Sequence, residues 1–344
     1  MKKKNIDFIY WFAYYNLDSP SVRYRAKYPL DYFKSRFNVE SVLVMPSYSL
    51  SGIFNFFKAY FSALYFRKAN SLIVIQRVQS SFIYATLLKL LVLLRKENTI
   101  YDLDDADYLE HDPKTIYFFA NNCEKISAGS PEIAKHLQQF NENTRHTTSP
   151  IVDLGICKKQ RNSLFTIGWI GGFEWGHRDS MVEFVFPALA QLPFPFKLVL
   201  IGVVQPVDRQ LIRTFFRGNN NITIDMPENI DWNNERGIQH QIVQFDIGIA
   251  TLINTPVHIA KSGIKAKQYM NNGVPVLSTN LPENNSVVVH GKNGYFCANP
   301  EEFKTRIHEF HAMDDTMYSS FSEHARASIK NFDHHQYFHD FRLI

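Results

Sequence analysis

The stretch Ala260-Lys261-Ser262-Gly263-Ile264-Lys265-Ala266-Lys267-Gln268-Tyr269-Met270-Asn271-Asn272-Gly273-Val274-Pro275-Val276-Leu277-Ser278 decides how the chain is read. Its spacing predicts a helix over 262–272 followed at once by a buried strand. Ser262 suits an N-cap, and Gly273 suits the position just past a helix C-terminus, where a left-handed backbone is wanted. Lys261 and Lys265 then fall one turn apart on one face, at the N-terminal end. Free backbone N–H groups and partial positive charge already favour an anion there, and two lysines suit a phosphate or diphosphate. Solvated lysines in a first helical turn are the alternative.

Outward from this stretch, apolar runs of strand type at 6–10, 41–45, 72–75, 99–103 and 125–128 alternate with helical stretches near 22–36, 53–68, 81–95 and 131–140. Residues 141–164 are polar and irregular, and read as a linker. The alternation then restarts, with strands at 165–170, 197–201, 222–224, 246–250, 275–278 and 294–297. Helices near 178–192, 206–217, 234–243, 262–272 and 300–312 separate them. This predicts an α/β protein of two doubly wound, Rossmann-like units, each a parallel sheet with helices on both faces. The expected division is a first domain over 1–155, a second over 156–325 and a terminal helical segment over 326–344. Ligands of such sheets bind outside the carboxyl ends of the strands, so the cleft between the two units is the expected site.

A chain of 344 residues is too long for one ordinary core and suits two domains. Its 45% hydrophobic and 15% aromatic content is that of a globular protein, which excludes a disordered chain. Cys123, Cys157 and Cys297 are scattered, form no metal spacing and suit a reducing compartment, so a cytoplasmic location is expected. The most apolar run, 82–94, is too short for a membrane span and contains Lys89. Lys2, Lys3 and Lys4 precede an apolar run that Asp7 interrupts, which reads as a first strand and not as a signal peptide. Residues 1–100 hold 15 Lys/Arg and 5 Asp/Glu, a balance of +10, against +4 for the whole chain. With Phe54, Phe56, Phe57, Tyr60, Phe61, Tyr65, Phe66, Arg67 and Lys68, this basic third suggests a peripheral contact with anionic lipid or a lipid-linked anionic acceptor. A core helix with a solvated basic end is the alternative. No nucleic-acid recognition motif accompanies the charge, so no nucleic-acid partner is expected.

Other constellations point the same way. The run Phe165-Thr166-Ile167-Gly168-Trp169-Ile170-Gly171-Gly172 ends a strand on two glycines, which let a backbone approach a phosphate or sugar, and Arg178 follows at a helix start. The run Ile100-Tyr101-Asp102-Leu103-Asp104-Asp105 ends a strand in carboxylates, fit for a cleft or for loop capping. Ser21-Val22-Arg23-Tyr24-Arg25 follows the first strand, and Gln76-Arg77 ends the third. Their arginines suit a phosphate or an anionic acceptor. His111, His177 and His258 are candidates for touching substrate, although isolated histidines are more often structural or exposed. No Ser-His-Asp, Cys-His or metal-ligand spacing stands out.

The opening stretch resembles the donor-site segment of bacterial GT-B glycosyltransferases of the group 1, family 4-like type. Their pattern there is approximately Gly-Lys-Cys-Gly-Phe-Lys-x-x-Gln-Tyr-Met-Ala-x-Gly-x-Pro-Val-Val-Ala-Ser. The chain matches it at Lys261, Gly263, Lys265, Gln268, Tyr269, Met270, Gly273, Pro275 and Val276, with Ser278 one position before the pattern's final Ser. The 165–172 run is similar to the glycine loop of their second domain, Ile100–Asp105 to their Val-Tyr-Asp-x-Asp-Asp strand end, and 21–25 to their Ser-x-Arg-Tyr-Arg segment.

The resemblance implies a GT-B fold whose terminal helix crosses back to the first domain. It also implies a retaining transfer of sugar from a nucleotide-diphosphate sugar to a glycan or lipid-linked acceptor, in cell-surface polysaccharide synthesis such as lipopolysaccharide or capsule. Lys261, Lys265 and Arg178 would hold the diphosphate, with Ser262 and Gly263 at the same helix start and Gly171 and Gly172 allowing its approach. Gln268 would contact ribose, standing where the group often has Glu. Asp104 and Asp105, with Arg23, Arg25 and Arg77, would serve the acceptor side. Enzymes of this fold generally need no metal, so no cofactor beyond the donor is expected, and a D-x-D metal site is the weaker alternative. The group also favours an acidic residue eight positions before Gln268, where this chain has Ala260. That departure leaves open a sugar-nucleotide epimerase and a non-catalytic nucleotide-sugar-binding scaffold.

Overall fold

The computed structural model describes residues 6–65, 70–78 and 82–343. Lys2, Lys3, Lys4, Phe66, Arg67 and Lys68, singled out above, lie outside them. The chain forms two units. The first takes the residues up to Val152, Ala260–Ser262 and those from Phe332 on; the second takes Asp153–Ile259 and Gly263–Asn331.

The first unit holds β1 (Phe8–Phe12), β2 (Glu40–Val44), β3 (Ser71–Gln76), β4 (Thr99–Leu103), β5 (Lys125–Ala128) and β6 (Thr144–His146). They pair in parallel in the order β2-β1-β3-β4-β5-β6. Helices α1 (Tyr28–Phe37), α2 (Leu50–Tyr65), α3 (Phe82–Leu94), α4 (Lys114–Asn122) and α5 (Pro131–Leu137) connect them. One face, through Tyr10, Phe12, Ile73, Ile75 and Tyr101, packs on α2 to α5. The other, through Ile9, Trp11, Val74 and Ile100, packs on α1 and the last helix of the chain. Burial on both faces is why these strands read as continuous apolar runs.

The second unit holds β7 (Thr166–Ile170), β8 (Phe196–Ile201), β9 (Ile222–Asp225), β10 (Ile247–Ala250), β11 (Val276–Ser278) and β12 (Gly294–Phe296), all parallel, in the order β12-β11-β10-β7-β8-β9. Its helices are α6 (Trp175–Ser180), α7 (Phe186–Leu189), α8 (Pro206–Phe215), α9 (Glu235–Ile242), α10 (Pro256–Ile259), α11 (Ile264–Asn271), α12 (Pro282–Asn285), α13 (Pro300–Ala312) and α14 (Asp315–Ser328). The last helix, α15 (His334–Leu343), belongs to the first unit. There Phe338 stacks on Phe37 at 4.3 Å and lies 4.5 Å from Phe33.

Several sequence expectations are corrected. β6 lies inside the expected linker, and α4, α10 and α12 were not foreseen. The helix expected from 262 begins at Ile264. The helices expected over 22–36 and 178–192 are interrupted by wide π-type turns at Val22–Lys27 and Met181–Val185. Each turn runs up to a proline, Pro29 or Pro187. A proline has no N–H and its ring crowds the carbonyl four residues back, so the chain opens there.

His334, at the start of α15, is buried against the Tyr32 ring at 5.4 Å. Burial pushes its imidazole down to about 4, and Asp333 and Asp31 pull upward without offsetting this. The unfolded chain therefore takes up a proton near the usual 6.5, while the folded one stays neutral until about 4. Stability is lost as pH falls through this window, by up to about 3 kcal/mol. Urea unfolding across the window should show that loss in the wild type and a flatter dependence in His334→Gln.

Candidate active site

In the second unit, β7 leads directly into Gly171, whose φ is +147°. Its N–H donates to the Ile201 carbonyl at the end of β8, at 2.9 Å. A β-carbon at Gly171 would stand 2.7 Å from Lys265 Cε and 3.2 Å from its Nζ. The lysine ammonium therefore lies over this glycine; a larger residue would have to push the end of Lys265 aside and hold a backbone conformation that favours glycine. Gly172 beside it faces open space.

Lys265 is the second residue of α11. Its Nζ sits 3.1 Å from His177 Nε2 and 5.8 Å from the centre of the Trp169 ring. An ammonium donates, so His177 Nε2 is the acceptor and the imidazole in this arrangement is neutral. The start of α11 differs from the expectation. Gly263, not Ser262, is the N-cap, with φ +58°. A β-carbon at Gly263 would come 3.1 Å from Glu283 Cβ and 3.3 Å from Asn284 Oδ1, a tight fit that adds to the left-handed backbone in favouring glycine. The half-buried Ser262 and Lys261 precede the helix, so the two lysines do not share a helical face.

Residues further along α11 fix where Lys265 stands. Fully buried Lys267 pairs with Glu283 of α12 at 3.0 Å. The Tyr269 hydroxyl accepts the Ile170 N–H at 2.9 Å and donates to the Ile249 carbonyl at 3.1 Å. Burial raises its phenol, which keeps the proton that this second bond needs. One side chain thus ties α11 to the ends of β7 and β10. Half-buried Gln268 occupies the next turn of α11. Arg178 in α6 is half-exposed, with long ion contacts to Asp179 at 3.5 Å and Asp208 at 3.9 Å.

In the first unit, Arg77 gathers a charged cluster. It follows β3 with φ +44°, a left-handed conformation unusual outside glycine and typical of functional sites. Its guanidinium binds both oxygens of Asp107 at 2.7 and 2.8 Å, Asp105 at 3.0 Å, the Tyr14 hydroxyl at 3.1 Å and Ser21 Oγ at 3.2 Å. Lys261 reaches the same Asp105 at 2.8 Å. Burial works against the Arg77 charge, but Asp105, Tyr14, Asp104 and Asp107 outweigh it and hold the group protonated. Asp104 is 4% exposed, and its Oδ1 has no hydrogen-bond partner among the described residues. Burial pushes its carboxyl up while Arg77 pulls it down. Three carboxylates and two cations meet here, with one buried acceptor atom left over. Such a cluster can receive and orient hydroxyl groups.

Two expected acceptor residues are spent inside the fold. Arg25 is fully buried, donating to Asp102 at 2.5 and 2.9 Å, Ser127 at 3.0 Å, Ser149 at 3.3 Å and the Thr147 carbonyl at 2.7 Å. Asp102 is consumed by the same pair and presents no carboxylate to a metal or acceptor. Arg23 is 4% exposed, its Nη1 donating to the carbonyls of Leu17 and Asp18. The sequence missed Asp107 and Tyr14 in the Arg77 cluster and offered His177 as a substrate contact or a structural residue, with no sign of its place beside Lys265. Asp107 could have been suspected as the next acid after the Asp104-Asp105 pair. Nothing marked Tyr14 among so many aromatics.

Residues 165–312 match the family model described as Glycosyl transferases group 1. No match to a curated protein was found. Among solved structures, the chain is similar to sucrose-phosphate synthase from Thermosynechococcus elongatus, at 12% identity and TM-score 0.72, covering 98% of each chain. It is similar to HepE from Anabaena in complex with UDP and glucose, at 13% identity and TM-score 0.66, covering 97% of this chain and 98% of that one. A mutant of S. aureus TarM in complex with fondaparinux, α-GlcNAc-glycerol and UDP gives 12% identity and TM-score 0.59, covering 82% of this chain and 58% of that one. At such identities the likeness establishes the fold, which is GT-B.

Proposed function

We propose that this chain, a group 1 glycosyltransferase of GT-B fold, moves a sugar from a nucleoside-diphosphate sugar to a hydroxyl of a glycan or lipid-linked acceptor, with retention of configuration, in cell-surface polysaccharide synthesis. The observation that carries this is the Lys265 ammonium laid over Gly171 at the start of α11. Charge develops on the diphosphate as the glycosidic bond breaks. A fixed cation, aided by the free N–H groups of a helix start, stabilises that charge more than it stabilises the bound ground state. The neutral His177 holds the ammonium in place without cancelling its charge. Arg178 adds a second cation, Gly171 and Gly172 admit the diphosphate, and Gln268 reaches the ribose hydroxyls. Asp104 and Asp105, oriented by Arg77 and Lys261, hold the acceptor hydroxyl.

The UDP named in the HepE and TarM complexes supports testing uridine nucleotides first. Free thiols at Cys123, Cys157 and Cys297 suit a cytoplasmic place of work. The basic first third suits a peripheral contact with anionic membrane, and no helix among the described residues is long and apolar enough to cross one.

Proton NMR of the protein with UDP-sugars, with and without glycosyl acceptors, tests the reading. Acceptor-dependent release of UDP and a product of unchanged anomeric configuration are expected. Epimerised donor in the absence of any acceptor would replace transfer by isomerisation.

A further inference from the structure

We propose that the outer face of α2 and α3 in the first unit docks on an anionic lipid bilayer. This narrows the membrane contact proposed above to one surface, and rests on that reading only for what the bilayer would deliver. On α2, Phe54, Phe57, Phe61 and Tyr65 are exposed by 69, 38, 46 and 66%. The last three follow at four-residue spacing and therefore share a face. Their rings stack in sequence, Phe57 to Phe61 at 6.0 Å and Phe61 to Tyr65 at 6.2 Å. On α3, Ile83, Leu90 and Leu94 are also exposed. The two helices are neighbours: the Phe56 and Tyr84 rings are 5.2 Å apart, and the Arg95 side chain bonds the Leu64 carbonyl. Scattered apolar residues on a surface are ordinary, but a stacked row of exposed rings on one helix, with exposed aliphatic side chains on the helix beside it, marks an interaction site.

Charge selects the partner. Residues 41–96 contain seven Lys/Arg and no Asp or Glu at all. Neither α2 nor α3 offers a carboxylate, and exposed Lys58 and Lys96 accompany the apolar side chains. Exposed aromatics with lysines and without acids are the composition that settles into an anionic headgroup layer. Beside α2, over β1 and β2, lies a cavity of about 860 Å³ lined by Asn16, Ser47, Ser49, Ser51, Asn55 and Lys58 among others. Its lining includes one cation and no carboxylate. Hydroxyls, amides and a lone ammonium suit a phosphate-bearing headgroup at this surface.

Sedimentation with vesicles tests this, using phosphatidylcholine alone or mixed with phosphatidylglycerol. The full chain is expected to pellet with the mixed vesicles about tenfold more than with neutral ones, and less at high salt. Phe54→Ser with Phe61→Ser should lose this binding, and Lys58→Glu should weaken it. Phe54 and Lys58 are exposed and Phe61 loses only its ring contacts along α2, so the melting temperature should fall by no more than a few degrees. Wild type remaining in the supernatant with anionic vesicles, or the double variant pelleting as wild type does, would overturn the proposal. So would a wild-type dimer that the double variant dissociates, because the face would then belong to a second copy. UDP titrations without vesicles separate this from the transferase reading. Lost vesicle binding with intact nucleotide binding is specific to this face, whereas vesicle binding without nucleotide binding contradicts only the donor site.

Discussion

Lys265→Ala is expected to lower kcat/KM for the donor by about 10²–10³-fold, the usual cost of removing one fixed electrostatic group from a transition state. The melting temperature should stay close to wild type. Lys265 is half-buried, and its amine lies beside the glycine turn, 3.1 Å from His177 Nε2 and 5.8 Å from the Trp169 ring. Losing such contacts costs the fold about 1 kcal/mol or less. The helix itself remains anchored by Tyr269 and by the buried Lys267–Glu283 pair. Steady-state kinetics at saturating acceptor, beside a thermal melt, give both quantities. A variant with undiminished turnover would remove Lys265 from the chemistry.

Arg25→Met should have the opposite profile, with a loss of about 3–5 kcal/mol in stability and no specific effect on the donor. The arginine and Asp102 are both fully buried, and Ser127 also donates to the same carboxylate at 2.7 Å. Removing the cation leaves Asp102 charged and unpaired in the sheet of the first unit. Replacing both, as Arg25→Met with Asp102→Leu, should recover much of the loss, because the unpaired charge is gone. Denaturant unfolding measures this. A single variant that unfolds like wild type but loses acceptor affinity would restore Arg25 to the acceptor side.

These contrasting outcomes mark where sequence stops being informative. Arg25 and Arg77 both stand near strand ends and both face aspartates. Only the packing of β4, β5 and the 147–149 loop around one of them, and the left-handed turn at the other, separates structural from candidate functional charge. The strands themselves were legible because both faces of each sheet are covered, so runs such as Thr166–Ile170 and Val276–Ser278 are apolar or small throughout. β6 was not, since its three residues, Thr144–His146, form an edge strand with two exposed positions. The donor segment was recognisable by its residues, yet its cap was misplaced by one. Ser262 has the better capping side chain, but the left-handed backbone at 263, packed tightly against Glu283 and Asn284, favours glycine as the cap. The partner of Lys261 lies at Asp105, far back in the chain, and local periodicity carries no trace of it.

Calorimetric titration of the purified chain with UDP tests most directly whether Lys265 and the glycine turn hold a nucleoside diphosphate. Saturable binding is expected in the wild type, with affinity reduced about 10–100-fold in Lys265→Ala, the loss of roughly 1.4–2.7 kcal/mol of contact. Equal affinity in the two proteins would contradict the site, as would no binding of UDP or of any other nucleoside diphosphate by the wild type.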